Sequence, residues 1–305
     1  MDETKIKRTA LMSAYLRAHH VVYATPKIFD DFIAPRLLTE EDFVAFDNVM
    51  TTALPMVDPK RAAQSPDRVD AIASMVQFYF PTSLFLSRSR YTEDHLKADI
   101  RQGVTQYVIL GAGMDTFAFR HPDLRQNFQI FEIDHPATQD FKRKRLAELG
   151  WDIPSNLHFI AVDFMKQKLD TELANTSYDP KAPTFFSWLG VIHYLPRDVV
   201  FHTLRTIADI SPAGSKIIFD YWDNDAFIPE TAAARVNIMQ AMLRQAGEPM
   251  VTGLDPSTLA SELESVGLHL VEHLSPSDIQ DRYFQNRSDD YYAYDHAYFV
   301  KAMVE

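Results

Sequence analysis

Residues 107–120 read YVILGAGMDTFAFR, an apolar run that closes on Gly111, Ala112 and Gly113 before a second apolar stretch begins. The run has the length and apolarity of a strand covered on both faces. Two glycines at its end let the backbone turn tightly and approach a ligand where any side chain would collide. Open α/β sheets bind ligands at the carboxyl ends of their strands, and this turn lies at one. The same Gly-x-Gly also serves geometry alone, so a ligand site and a plain turn both fit. A dinucleotide fingerprint asks for a third glycine three residues on, where this chain has Thr116, and that weighs against NAD without excluding it.

Four similar runs follow at intervals of about 20 to 30 residues: FQIFEID (128–134), LHFIAVD (157–163), TFFSWLG (184–190) and GSKIIFDYW (214–222). This is the spacing of βαβ units, and it predicts a mostly parallel sheet with helices on both faces. LHLVEHL (268–274) and AYFVKAMV (297–304) are two more candidate strands, with an antiparallel last strand left open. Asp255-Pro256 ahead of STLASELESV and Gly267 reads as a helix with an N-cap, a first-turn proline and a glycine stop. Thr92 ahead of EDHLKADIRQ and Gly103 has the same grammar. Upstream, helices are expected around 5–19, 40–50 and 67–80, joined by loops holding Pro26, Pro35, Pro55, Pro59 and Pro66. This is a helical segment leading into a sheet, not an evident second domain.

A chain of 305 residues buries about 75% of its unfolded surface and needs no disulfide or metal to fold. It has no cysteine, which excludes thiolate metal sites, iron–sulfur clusters and a cysteine nucleophile, and no metal site is expected. The formal charge is −12, of which −9 falls in residues 201–305, the wrong sign for a nucleic-acid partner. Lys5, Lys7, Arg8 and Arg17 interrupt the N-terminal apolar residues, so a signal-peptide core is lacking, and no window holds 18 uninterrupted apolar residues. The expectation is a soluble cytoplasmic protein with no membrane partner.

FEIDHP puts Glu132 and Asp134 at the end of the second strand, two residues apart and so on one side of it. A carboxylate there suits the ribose hydroxyls of an adenosine-containing cofactor; a salt bridge or cap is the alternative, above all for Glu132. In AVDF, Asp163 and Phe164 suit an adenine amino group and ring face, or else a helix cap and a core aromatic.

LGAGMDTFAFR (110–120), FEIDHP (131–136), AVDF (161–164) and FFSWLGVIHYL (185–195), with SRSRYTEDHL (87–96) and RTALMSAYLRAHH (8–20) upstream, together resemble the leucine carboxyl methyltransferase family, in particular its bacterial tetracenomycin-type O-methyltransferase branch. The likeness covers about nine-tenths of the chain. It implies a class I S-adenosylmethionine methyltransferase: a Rossmann-like, mostly parallel seven-stranded sheet over residues 101–305, and a helical lid and substrate segment over residues 1–100. By position, it implies that Arg88 pairs with the cofactor carboxylate and that Gly111, with Ala112 and Gly113, lies under the methionine part. Asp134 would hold the ribose, and Asp163 with Phe164 the adenine. A solvated helix face is the other reading of Arg88 and Arg90. Where the family commonly has glutamate before the fourth-strand glycine, this chain has Leu189, which favours the small-molecule branch over a protein C-terminus as substrate.

His193 follows the fourth strand and is the candidate general base, because its ordinary pKa lies near neutrality; capping a helix near Pro196 is the alternative. Tyr15, Arg17 and His20 on the first helix face either substrate or solvent. Tyr194 and Trp222 are candidates for the acceptor pocket, or else for the core. The expected activity is S-adenosylmethionine-dependent O-methylation of a hydroxyl or carboxyl on a small organic acceptor. An NAD(P)-dependent oxidoreductase and a catalytically silent S-adenosylmethionine-binding relative are the alternatives, and the oligomeric state is left open.

Overall fold

The computed structural model describes residues 3–305, with side chains from residue 9 onward, so Lys5, Lys7 and Arg8 lie outside the described side chains. The N-terminal part folds as α1 (Glu3–Tyr23), α2 (Glu40–Val57), α3 (Pro59–Gln64) and α4 (Arg68–Ser74). A π-helical turn over Met75–Tyr79 then leads to α5 (Thr82–Ile100). The rest alternates as β1 (Gln106–Leu110), α6 (Phe117–Arg120), β2 (Gln129–Asp134), α7 (Pro136–Glu148), β3 (Leu157–Ala161), α8 (Leu169–Ala174), β4 (Thr184–Trp188), α9 (Arg197–Ile210) and β5 (Lys216–Trp222). It ends with α10 (Ala234–Ala246), α11 (Leu259–Glu264), β6 (Leu268–Leu274), α12 (Pro276–Tyr283) and β7 (Ala297–Val304).

The strands form one seven-stranded sheet in the order β3-β2-β1-β4-β5-β7-β6. β1 to β5 are parallel, and β7 runs antiparallel between β5 and β6. Alternate residues feed two cores, as the period of a strand requires. Tyr107 and Ile109 join Leu84, Tyr91 and Leu96 of α5 on one face. Val108 and Leu110 join Val200, Leu204 and Ile207 of α9 on the other. A third core gathers Tyr15, Leu16, Phe46, Met50, Met75 and Val76 from the N-terminal helices, and reaches the sheet domain through Met114 and Leu146. The first 100 residues therefore divide physically: α1 to α4 have their own core, while α5 covers the sheet. Strand order reverses between β1 and β4, the point at whose carboxyl ends open sheets carry their ligand crevice, and Gly111 and Gly190 sit there.

Three expected helix ends are corrected. Thr92 caps nothing: it is 1% exposed inside α5, which starts nearly three turns earlier, after Pro81. Asp255 holds a turn, accepting from the Ser257 amide and hydroxyl, and the helix starts only at Leu259. Pro55 lies inside α2 rather than in a loop. Helix α2 is fixed at its start by a capping box in which Thr39 and Asp42 exchange side-chain to backbone bonds.

Candidate functional site

The loop after β1 folds back onto β2. Gly111 and Ala112 both donate their amides to the Ile133 carbonyl, at 2.7 and 3.1 Å. Gly111 has φ +71°, and a Cβ there would sit 2.2 Å from Cγ2 of Val191, so both conformation and space require glycine. Gly113, at φ +51°, differs: a Cβ there meets no atom within 4 Å. Its amide donates to Oδ2 of Asp134 at 2.5 Å, and the His135 amide donates to Oδ1 at 2.6 Å. Burial pushes the Asp134 carboxyl up, against the pull of these two amides.

Asp134 and Asp163 stand at neighbouring strand ends, where the Val162 amide donates to the Asp134 carbonyl at 2.8 Å. Asp163 accepts from the Met165 amide at 3.0 Å, pairs with Lys166 at 3.0 Å and lies 3.9 Å from Nε2 of His135. Burial opposes its ionisation, but Lys166 and the Met165 amide outweigh that and hold its carboxyl below the usual range. Phe164 packs, tilted, on Trp188 with ring centres 5.9 Å apart. Glu132 belongs elsewhere: it is 1% exposed and bonds Lys142 at 2.5 Å, the structural alternative read from the sequence.

Arg88 reaches the crevice from α5. Its Nη1 lies 2.8 Å from Oδ2 of Asp220, with the two side chains 11% and 1% exposed. Oδ1 of Asp220 accepts the Gly190 amide at 2.6 Å. The guanidinium lies over the Phe85 ring at 4.6 Å. Arg90 instead is exposed and pairs with Asp94, so the two arginines do not share one solvated face. Asp220 was missed in the sequence because an acid within GSKIIFDYW carries no spacing signal; only the β4–β5 pairing brings it to Gly190.

His193 sits on a short 3₁₀ turn, Ile192–Tyr194, and is 6% exposed. It caps no helix: α9 starts at Arg197 without a side-chain cap. Its backbone carbonyl is clamped by the amides of Val251 and Thr252, while its Nδ1 has no partner. Burial pushes its pKa down to about 4, so the ring is neutral. Tyr194 lies against it at 4.2 Å and Trp222 meets it edge-on at 6.3 Å. Trp222 is 2% exposed, with Nε1 unpartnered.

The first-helix candidates are corrected in part: they face neither solvent nor an open pocket. Tyr15 is fully buried and donates to Asp47 at 2.6 Å. His20, also fully buried, accepts the Ile28 amide on Nε2 at 2.9 Å. Arg17 spends Nε on Asp31, Nη1 on Ser13 and Nη2 on the Met114 carbonyl. The last of these bonds ties α1 to the loop that carries Gly113.

The sequence profile of the family described as leucine carboxyl methyltransferase matches residues 10–208. The chain is 37% identical over 313 residues to Bacillus subtilis (strain 168) YktD, covering 99% of each, a protein provisionally named an S-adenosyl-L-methionine-dependent methyltransferase. Among solved structures, a duf574 family protein from Streptomyces avermitilis MA-4680 is similar, with TM-score 0.58, 13% identity and coverage of 96% of this chain and 97% of that one. A Thermobifida fusca YX protein provisionally called a methyltransferase gives TM-score 0.55 at 15% identity, over 77% of this chain and 86% of that one. At such identities these two structures speak for the fold alone. The profile and the full-length relative also displace the NAD(P)-dependent alternative. The chain belongs to the leucine carboxyl methyltransferase family and is an S-adenosylmethionine-dependent methyltransferase.

Proposed function

We propose that the enzyme transfers its methyl group to an oxygen, of a hydroxyl or a carboxyl, on a small organic molecule. The observation that carries this reading is His193: neutral, buried, with Nδ1 unpartnered, on the turn after β4, edge-on to Trp222 and within the electrostatic reach of Asp220 and Arg88. The crevice residues suit the cofactor. Gly113 turns an open side outward, and Asp134 has lone pairs left for a ribose diol beyond its two amide bonds. Arg88 would take the methionine carboxylate, Gly111 and Ala112 would lie beneath it, and Asp163 with Phe164 would hold the adenine. Bound S-adenosylmethionine supplies a methyl carbon made electrophilic by its sulfonium.

The protein's own share is alignment and, for a hydroxyl, a proton acceptor. Neutral His193 takes the hydroxyl proton as the oxygen attacks, with Tyr194 and Trp222 beside it; a carboxylate needs no base. The N-terminal helical layer, joined to the cofactor loop through Arg17 and Met114, shields the crevice from water.

The test is a screen of hydroxylated and carboxylated small molecules, with mass detection of one added CH₂ and the position of the new methyl. Methylation confined to nitrogen or carbon would refute the oxygen assignment. With a hydroxyl acceptor, His193→Gln should cut turnover about 10²–10⁴-fold at neutral pH and less at high pH, where the acceptor ionises unaided. Because the ring stays neutral down to about pH 4, wild-type turnover should not fall between pH 7 and 5 through this residue. Equal turnover of variant and wild type at every pH removes His193 as the base.

A further inference from the structure

We propose that Asp220 is a positioning residue for cofactor binding: it aims the Arg88 guanidinium at the methionine carboxylate of S-adenosylmethionine and locks the β4 loop beneath it. This rests on the assignment of Arg88 to that carboxylate, and the experiment separates the two.

Arg88 is long, and a free arginine would scatter its fork over many rotamers. Here it is fixed from several directions. Asp220 holds Nη1 at 2.8 Å. Phe85 lies under the guanidinium, 4.6 Å from Cζ. Gly190, at φ +72°, comes so close that a Cβ there would fall 2.6 Å from Nη2 and 3.0 Å from Cζ. Among the described residues the guanidinium makes no other hydrogen bond, so Nε and Nη2 keep their donors for a ligand.

Asp220 joins this arrangement to the crevice. One oxygen holds the guanidinium and the other holds the Gly190 amide at 2.6 Å. Val191, the next residue, presses its Cγ2 on the place where Gly111 has no side chain. A single buried carboxylate thus sets the guanidinium, the β4 loop and, through Val191, the glycine turn after β1. Leu189 before Gly190 brings no charge, so the acid that meets Arg88 comes from β5. At 1% exposure Asp220 has no solvent to compensate it, and its orientation is set by these two donors.

A residue that acts through Arg88 has a signature that a residue merely supporting the fold lacks. Its loss matters only for ligands with a carboxylate, and only while Arg88 is present. The probes are S-adenosylhomocysteine and 5′-methylthioadenosine, which lacks the amino-acid end, each titrated calorimetrically into wild type, Arg88→Gln, Asp220→Asn and the double variant. Wild type should prefer S-adenosylhomocysteine strongly. Arg88→Gln and Asp220→Asn should each cut that preference about 10-fold, with 5′-methylthioadenosine little changed, and the double variant should lose no more than Arg88→Gln alone. An unchanged preference in Arg88→Gln would remove the Arg88 assignment and this proposal with it, leaving the cofactor itself untouched. A normal Arg88→Gln effect with no loss in Asp220→Asn, or fully additive losses in the double variant, would overturn the role of Asp220 alone. If Asp220→Asn fails to fold, Asp220→Ser and the charge-neutral double variant carry the same comparison.

Discussion

Gly111 and Gly113 are two residues apart and glycines for different reasons. Gly111→Ala would meet both a left-handed backbone and the Val191 methyl at 2.2 Å, and should cost about 3 kcal/mol or more in urea unfolding, the sum of strain and overpacking. Gly113→Ala meets only the strain, about 1–2 kcal/mol. It should stay folded yet bind S-adenosylhomocysteine more weakly, because its methyl enters the open side of the turn. If calorimetry finds cofactor affinity intact in Gly113→Ala, that side of the turn does not face the ligand. Asp134→Ala should weaken the same ligand by about 1–3 kcal/mol, the usual cost of losing a hydrogen-bonded charge. The GAG turn was legible in the sequence because positive φ selects glycine locally. Which glycine answers to a neighbour and which has open space beside it was not, since Val191 follows β4, a strand remote in sequence.

Helix α1 shows how an element defeats a local reading. Tyr15, Arg17, His19 and His20 are polar residues that a local reading sends to substrate or solvent, but the helix is enclosed by α2, α5, α7 and the 24–37 segment, and each of them is at most 8% exposed. Their bonds are tertiary: Arg17 reaches Asp31, which also accepts from Thr116 at 2.7 Å, while Arg120 bonds both Thr116 and Glu93. No spacing rule announces such a network. It makes α1 a fixed support for the loop that carries Gly113, so removing residues 1–20 should unfold the N-terminal layer rather than simply open a lid. Arg17→Ala, which leaves Asp31 to Thr116, the Ala34 amide and Arg120 at 3.4 Å, should cost about 1–3 kcal/mol. Hydrogen exchange should accelerate at the amides of Asp115 to Phe117 before it does in β5. Uniform acceleration would mean that Arg17 supports the whole fold and not this loop. The misplaced ends at Thr92 and Asp255 have a related cause: good cap residues occur inside helices and turns whenever packing decides the boundary.

At the scale of the molecule, the sheet was readable because strands buried on both faces must be apolar throughout, and both C-terminal candidates became β6 and β7 over the residues proposed. The pairing that brings Asp220 to Arg88 was not readable, because it depends on strand order. Burial on this scale also sets how stability follows pH. His19, His20 and His193 each have pKa values pushed down to about 4 by burial, below the usual 6.5. The folded state therefore binds fewer protons there than the unfolded chain, and stability is lost as pH falls from 6.5 towards 4. Glu132 opposes this: burial raises its carboxyl despite Lys142, so the fold keeps a proton that the unfolded chain releases, and that contribution fades as pH rises. Burial also lowers His95, His158 and His273 and raises Asp134, so histidines still outnumber the opposing carboxyls. The three strongly shifted histidines set against Glu132 alone give about two protons taken up on unfolding near pH 5.5, or a slope of about 2–3 kcal/mol per pH unit. Below the usual carboxylate pKa, Glu93, whose burial is outweighed by Arg120 and His121, adds to the loss. Urea midpoints should thus rise steeply from pH 5 to 6.5 and then level off, and His20→Gln should flatten the rise by about 1 kcal/mol per pH unit. A midpoint that stays constant over that range would show that the buried histidines carry their protons in the fold, and the neutral His193 on which the hydroxyl mechanism depends would fall with them.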